Sequence, residues 1–178
     1  AQSKASKRYS RALFDLAQEQ GRLDQVLGDC RSLRELIAQS AEVEAFLENP
    51  LIATDRRRVV LEKLFKERLD VLSFQFLLFL DEKDRLNLLA QICDYFEDFY
   101  YELKRILKVK VVSARALTAE HVAAISERLK VRFDREIDSQ VSLDATLLGG
   151  FRVIVGDQVL DYSLQTQLLE FNQKVIHA

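Results

Sequence analysis

Proline and glycine, the residues that most often interrupt regular elements, are scarce in this sequence. There is one proline and there are five glycines among 178 residues. No low-complexity segment and no internal repeat is visible, so the chain is expected to consist mainly of regular elements with short connections. No run of about 18 apolar residues occurs, which excludes a membrane-spanning helix. Ala1 is not followed by an apolar signal segment, and either an initiator methionine or a longer leader could have preceded it.

Residues that carry chemistry are equally few. The chain has two cysteines and two histidines. Cys30 and Cys93 fall in helical patterns, which predicts buried free thiols in a reducing compartment rather than a disulfide framework. His121, in the first turn of a helix, and His177, near the end of the chain, are expected at the surface. No Cys/His group has zinc-ligand spacing, so no catalytic, cofactor-binding or metal-binding residue is predicted.

Neither basic nor acidic residues are in large excess. The formal net charge of −2 argues against a nucleic-acid partner, for which a basic surface is expected. Only Phe151 is available on the predicted strands to stack on a base, which disfavours RNA binding. The charged runs Arg56–Arg58 and Asp81–Asp84 are interpreted as solvated faces of a helix and of a turn.

Helical periodicity runs through the first 104 residues. The predicted helices are Ser6–Gln20, Leu23–Ile37, Glu42–Leu47, a helix capped by Thr54 or Asp55, Asp70–Asp81, and a helix capped by Asp84 that reaches Leu103. Gly21 and Asn49-Pro50 supply stops. Six helices with short connections predict an antiparallel six-helix bundle.

The pattern changes near Arg105. Residues 106–114 alternate apolar and basic, Thr118 can cap a helix, and residues 137–143 form a second strand pattern. Residues 147–164 follow as two strands joined by Gly156-Asp157, after the pair Gly149-Gly150 and before a last helix capped by Ser163. The chain is therefore predicted to be α+β and mainly α: a helical bundle at 1–104 and a small mixed-sheet α/β domain at 105–178.

The fifth predicted helix is apolar almost all round. Helical projection places Phe74 with Leu77 and Leu78, and places Leu72, Phe76 and Phe79 on a different face. Such a helix is either central in its domain or forms a groove for an amphipathic helix of another protein.

Several segments together resemble the delta subunit of F-type ATP synthases, the family of the oligomycin-sensitivity-conferring protein. They are residues 9–17 (YSRALFDLA), Asn49-Pro50-Leu51, Asp84-Arg85-Leu86, residues 109–114 (VKVVSA), and the Gly-Gly hairpin with Val159, Asp161 and Ser163. The resemblance implies a non-catalytic stator subunit of the peripheral stalk, which couples rotation to ATP synthesis and proton transport. The alternative is an unrelated helical protein-interaction module or an RNA-binding adaptor.

The same resemblance implies two partners. The amino-terminal helix of an alpha subunit would lie between the first and fifth helices, and a b-type stalk subunit would meet the second domain through its carboxy-terminal end. By position, the candidates for alpha-subunit binding are Tyr9, Ala12, Leu13, Leu16, Leu72, Phe76 and Phe79. Neither a cofactor nor membrane insertion is expected. The expected location is peripheral, on the cytoplasmic face of a bacterial inner membrane, the stromal face of a thylakoid or the matrix face of a mitochondrial membrane.

Overall fold

The computed structural model describes residues 2–162, with side chains from Lys4 onward. The helices of this part are α1 (Gln2–Glu19), α2 (Leu23–Gln39), α3 (Ala41–Glu48), α4 (Thr54–Phe65), α5 (Val71–Glu82), α6 (Leu89–Lys104) and α7 (Ala119–Phe133), with a 3-10 turn at Leu86–Leu88. The strands are β1 (Ile106–Ser113), β2 (Glu136–Leu143), β3 (Phe151–Val155) and β4 (Gln158–Asp161). The prediction of a mainly helical protein with a small mixed sheet is confirmed.

The chain divides into two compact units after Tyr100. The boundary predicted from the sequence follows Lys104, the last residue of α6. That residues 1–104 and 105–178 fold independently remains a prediction.

The first unit has one continuous apolar core, to which α1 to α6 all contribute. Its buried side chains are Leu13, Phe14, Ala17, Val26, Leu27, Cys30, Leu33, Leu47, Leu61, Phe65, Leu72, Leu77, Leu80, Leu86, Leu88, Leu89, Ile92, Cys93 and Phe96. Within α1 and α2 these residues recur at intervals of mostly three or four, so each helix buries one stripe. The rings of Phe14 and Phe96 meet edge to face with centroids 5.5 Å apart, which joins α1 to α6.

The ends of several helices follow from local chemistry. Gly21 has a φ of 66°, the left-handed conformation that commonly ends a helix, and it lies just beyond α1. The Asp70 carboxylate accepts a hydrogen bond of 2.9 Å from the amide of Leu72 and so caps α5. Thr118 caps α7 by accepting from the amide of His121 at 3.3 Å, as predicted.

Two predicted caps are wrong. The N-cap residue of α4 is Ala53, so Thr54 and Asp55 lie inside the first turn of that helix. Asp84 has a φ of 54° and belongs to the turn after α5, while α6 begins only at Leu89, after the 3-10 turn. Periodicity did not separate the 3-10 turn from α6, because Leu86 and Leu89 are three residues apart and both are buried.

The interpretation of both charged runs as solvated holds for Arg56, Arg58 and residues 82–84, which are exposed, and is wrong for one residue of each run. Arg57 and Asp81 are buried, and they form an ion pair that joins α4 to the last turn of α5. The Arg57 guanidinium also donates to the carbonyl oxygen of Asn49 at 3.4 Å and lies 3.4 Å from the carboxylate of Asp84. A charged side chain is rarely buried in a protein without a partner of opposite charge. Arg57 and Asp81 supply this partner for each other, so both can be buried.

The second unit contains a four-stranded sheet in the order β2-β1-β3-β4. β1 and β2 are parallel and are connected through α7, whereas β1–β3 and β3–β4 are antiparallel. The register pairs Val111 with Val141 on one side and with Val153 on the other. The predicted order strand, helix, strand, strand, strand is confirmed, and the helix predicted after Ser163 lies outside the described residues.

One face of this sheet packs against α7. Val109, Val111 and Val153 are buried there with Leu129 of α7. Lys108 and Lys110, which alternate with the valines of β1, are exposed, as the pattern of β1 predicted.

The glycines before β3 adopt conformations that other residues rarely take. Gly149 and Gly150 have φ angles of 89° and 74°, and Gly156 in the β3–β4 turn has a φ of 56°. The positive φ explains why two adjacent glycines stand at the entry to β3, since glycine adopts this conformation without steric cost.

Candidate functional site

Helices α1 and α5 lie antiparallel along one side of the first unit. Just beyond the end of α1, Arg22 donates to the carboxylate of Asp70, the cap of α5, at 2.6 Å. Farther along, the ring of Tyr9 meets the ring of Phe79 edge to face with centroids 6.1 Å apart. The start of α5 therefore lies near the end of α1, and the end of α5 lies nearer the start of α1. This order of contacts makes the two helices antiparallel.

The outer side of α1 carries an exposed stripe next to this contact. Ala12 and Leu16 follow Tyr9 at intervals of three and four, which places them on the same face of the helix. The side chain of Leu16 is 44% exposed, and Ala12 is exposed and small. This stripe leaves room for a third helix to approach α1 closely.

The matching side of α5 carries two phenylalanines. Phe79 is 40% exposed, Phe76 is half-buried, and the centroids of their rings are 6.2 Å apart. The ammonium group of Lys83 lies 5.7 Å from the centroid of the Phe79 ring, a cation–π geometry. We call the surface formed by Tyr9, Ala12, Leu16, Phe76 and Phe79 the α1/α5 groove.

Two of the predicted site residues lie below this surface. Leu13 and Leu72 are 3% and 7% exposed and belong to the apolar core. Because both are already buried in the core, a partner helix would gain little additional apolar burial from them. Of the seven predicted residues, Tyr9, Phe76 and Phe79 are therefore linked by ring contacts. Ala12 and Leu16 continue the exposed face of α1, and Leu13 and Leu72 belong to the core.

The amino-acid profile of one protein family, described as "ATP synthase delta (OSCP) subunit", matches residues 5–175. The chain belongs to this family. A protein named ATP synthase subunit delta from Synechococcus sp. (strain PCC 6716) is 35% identical over 161 residues, which are 90% of this chain and 88% of the relative. Another of that name from Clostridium botulinum (strain Langeland / NCTC 10281 / Type F) is 30% identical over 170 residues, 96% of this chain and 95% of the relative.

A solved structure agrees with this delta/OSCP assignment. A chain in the cryo-EM structure of the Toxoplasma gondii mitochondrial ATP synthase hexamer is similar to this chain with a TM-score of 0.71 and 27% identity, covering 96% of this chain and 97% of that one. The resemblance read from the sequence is confirmed, and with it the function of a peripheral-stalk subunit. The alternative of an unrelated interaction module or RNA-binding adaptor is not favoured.

A delta/OSCP subunit is a structural part of the synthase and not a catalytic one. Between residues 2 and 162 no group of three or more His, Cys, Asp and Glu side chains could hold a metal ion. His121 is exposed in the first turn of α7, and His177 lies outside the described residues.

The two cysteines of this delta/OSCP chain are buried free thiols, as predicted. A hydrogen bond with the Cys93 side chain, followed by burial, raises the pKa of the Cys30 thiol well above its ordinary value. Because the thiolate is the reactive form of cysteine, Cys30 is suited to packing rather than to nucleophilic chemistry.

Sequence reasoning missed two features of the groove. Lys83 follows Phe79 by four residues, a spacing that puts both on one face of α5, and this signal was available in the sequence. Arg22 and Asp70, which form an ion pair, are 48 positions apart in the sequence. The residues around either one do not indicate which residue it pairs with.

Proposed function

We propose that the α1/α5 groove holds the amino-terminal helix of an ATP synthase alpha subunit, and that the second unit meets the carboxy-terminal end of a b-type stalk subunit. In this arrangement helices α1 to α6 act as a six-helix bundle that grips the catalytic head. The protein then prevents the head from turning with the rotor, so that rotation remains coupled to ATP synthesis and proton transport.

The partly exposed aromatic pair of α5, Phe76 and Phe79, is the observation that carries the proposal for the alpha subunit. Phe79 is 40% exposed although Tyr9 and Phe76 both contact it. Large aromatic side chains that stand partly exposed over a packed floor are the usual anchors of protein interfaces. An amphipathic helix laid over the groove would bury Phe79, Leu16 and the outer side of Tyr9 together.

The proposed location follows from the complex. Among the described residues no helix combines the length and the apolarity needed to cross a membrane. The protein would be held on the membrane by its partners, on the cytoplasmic face of a bacterial inner membrane, the stromal face of a thylakoid or the matrix face of a mitochondrial membrane.

Two matched substitutions on α5 test the groove. Phe79→Ala removes an exposed anchor, so we expect the protein to stay folded with a melting shift of a few degrees. Its affinity for a synthetic peptide of the alpha-subunit amino-terminal helix should fall at least about tenfold. Phe74→Ala removes a half-buried ring that packs against the core. We expect it to lower the melting temperature more and to leave peptide affinity within about twofold.

Calorimetric titration with the peptide and thermal melting of both variants provide the measurement. If Phe79→Ala unfolds the unit while Phe74→Ala abolishes only binding, the two faces of α5 have been assigned in reverse. If both variants simply unfold, α5 is a central helix and the binding surface lies elsewhere.

A further inference from the structure

A pocket of the second unit lies at the end of the sheet where β1 finishes and β3 begins. Its volume is about 370 Å³, which is enough for a small organic group. Residues 113–115 and Leu117 line one side, and residues 149–151 line the other. The amide of Ala114 donates to the carbonyl oxygen of Gly150 at 3.4 Å, which holds the two sides together. We call this site the β1/β3 pocket.

The charge of the β1/β3 pocket is positive. Of the described residues that line it, Arg115 alone is charged, and it is exposed. In the part of the chain that the structure describes, its guanidinium has no ion pair and no hydrogen bond. Asp144 is close by, since its amide donates to the carbonyl oxygen of Ser113, but its carboxylate already accepts from the amide and the hydroxyl of Thr146. An unpaired guanidinium at a pocket favours an anionic ligand.

Further hydrogen-bond donors line the same pocket. The amides of Gly149 and Gly150 have no acceptor among residues 2–162. Both glycines have a positive φ, and neither has a side chain to cover its amide. Ser113 is 3% exposed, and its hydroxyl oxygen accepts from the amide of Arg115 at 3.3 Å, so the hydroxyl proton is available to donate. Backbone amides together with a guanidinium suit the oxygens of an anion.

The remaining lining of the β1/β3 pocket is apolar. Leu117 and Phe151 are half-buried and pack against the core of the second unit. The ring of Phe151 also stacks on the ring of Tyr162 with centroids 5.1 Å apart, so its position is fixed from outside the pocket. A bare inorganic anion would leave these apolar surfaces in water, whereas an anion with an apolar body would cover them.

We propose that the β1/β3 pocket binds a carboxylate group attached to an apolar body. The carboxylate lies against Arg115 and the amides of Gly149 and Gly150. The apolar body lies against Leu117 and Phe151. Small organic acids carry such a group, and so does the last residue of a polypeptide, so both sources offer the pocket the same chemistry. This inference does not depend on the α1/α5 groove, which belongs to the first unit.

Titration of the full-length chain labelled with ¹⁵N tests the chemistry. Benzoate is the probe, and benzamide has the same shape without the charge. We expect benzoate to cause saturable shifts of the amide signals of Ala114, Gly149 and Gly150, with a Kd on the order of 1 mM for a ligand of about nine non-hydrogen atoms. Benzamide should bind at least about fivefold more weakly, because it forms no charge-assisted hydrogen bond with the guanidinium.

Two matched substitutions test the role of the guanidinium. Arg115→Gln should weaken benzoate binding at least about fivefold. Arg128→Gln is the control, because Arg128 is also exposed in the second unit and has no described partner, but it does not line the pocket. We expect this control to change the Kd less than about twofold. Both variants should melt like the unmodified protein, since both side chains are exposed.

A peptide separates the two sources of the carboxylate. The probe is a short peptide that ends in leucine, prepared with a free terminal carboxylate and with a terminal amide. Tighter binding of the free acid than of benzoate, lost in the amide, would support the proposal and assign the pocket to a chain terminus. Binding of benzoate without binding of the peptide would support it and assign the pocket to small organic acids.

Three results would overturn the inference. One is equal binding of benzoate and benzamide, because charge would then play no part. Another is a benzoate Kd that Arg115→Gln leaves unchanged. The third is the absence of saturable shifts at Gly149 and Gly150 with benzoate and with the peptide alike. None of these results bears on the α1/α5 groove, which has its own test.

Discussion

At the scale of single residues, the cysteine pair makes a direct prediction. Cys30 and Cys93 are 4% and 1% exposed, and their hydrogen bond raises the pKa of the Cys30 thiol. We expect both thiols in the folded protein to react with Ellman's reagent at least about 100-fold more slowly than in urea, because reaction requires an exposed thiolate. Stopped-flow absorbance measures both rates.

An exposed cysteine in the same helix supplies the control for this measurement. Ser32 lies two residues from Cys30 in α2 and is exposed, so Ser32→Cys should add one fast-reacting thiol to the folded protein. Native cysteines that react as fast as this added thiol would show that the core around them opens readily.

The sequence predicted the burial of the two thiols, but it did not predict the buried ion pair of Arg57 and Asp81. Each cysteine lies in a helical stripe with apolar neighbours, so its own local pattern is sufficient evidence of burial. A charged residue is buried only when a particular partner is present, and here the partner lies in a different helix. That pairing is a property of the tertiary fold, and no local pattern contains it.

At the scale of elements, two glycines of the first unit should respond oppositely to the same substitution. Gly21, with a φ of 66°, follows α1, and Gly28 lies inside α2 without a positive φ. At both positions an added Cβ would meet nothing within 4 Å, so only the backbone conformation differs. We expect Gly28→Ala to stabilise the protein by about 0.5–1 kcal/mol, because alanine favours the helix interior. Gly21→Ala should destabilise it by about 1 kcal/mol.

Urea denaturation followed by circular dichroism at the helix band measures both changes in the free energy of unfolding. The first unit has to be followed separately from the second, and a fluorescent label within α2 serves that purpose. Equal effects of the two substitutions would contradict the assignment of Gly21 as the conformational stop of α1.

The elements themselves were largely predictable, because periodicity and breaker residues act locally. The helices α2, α3 and α5 match their predicted ranges within two residues at each end, and the hairpin of β3 and β4 lies where Gly156-Asp157 placed it. The two faces of α5 were harder to separate. Leu72 was grouped with Phe76 and Phe79, but its burial depends on how the start of α5 packs against the other helices.

At the scale of the whole molecule, the division into two units predicts that the first unit folds without the second. All of the buried side chains in the core of the first unit come from residues 13–96, so a fragment of residues 1–104 retains this core intact. We expect this fragment to show high helicity and a cooperative melt. The second unit, in which the described part buries Val109, Val111, Leu129 and Val153, should melt less cooperatively as the fragment 105–178.

Far-ultraviolet circular dichroism of the two fragments and of the full chain provides this measurement. A disordered spectrum for residues 1–104 under native conditions would contradict the proposed boundary. The full chain is the control, since its spectrum should equal the sum of the two fragments if each folds as it does in the whole protein.

The ribosome synthesises the helical unit first. The order of the strands in the sheet then delays the folding of the second unit. Helices that contact near neighbours form quickly, whereas the parallel pairing of β1 with β2 cannot be completed until Leu143 follows Ser113, its partner, out of the ribosome. Translation proceeds at roughly 5–20 residues per second, so this interval lasts about 2–6 s. The α1/α5 groove is thus complete on the nascent chain before the sheet can close, so the helix docking proposed for it can begin during synthesis.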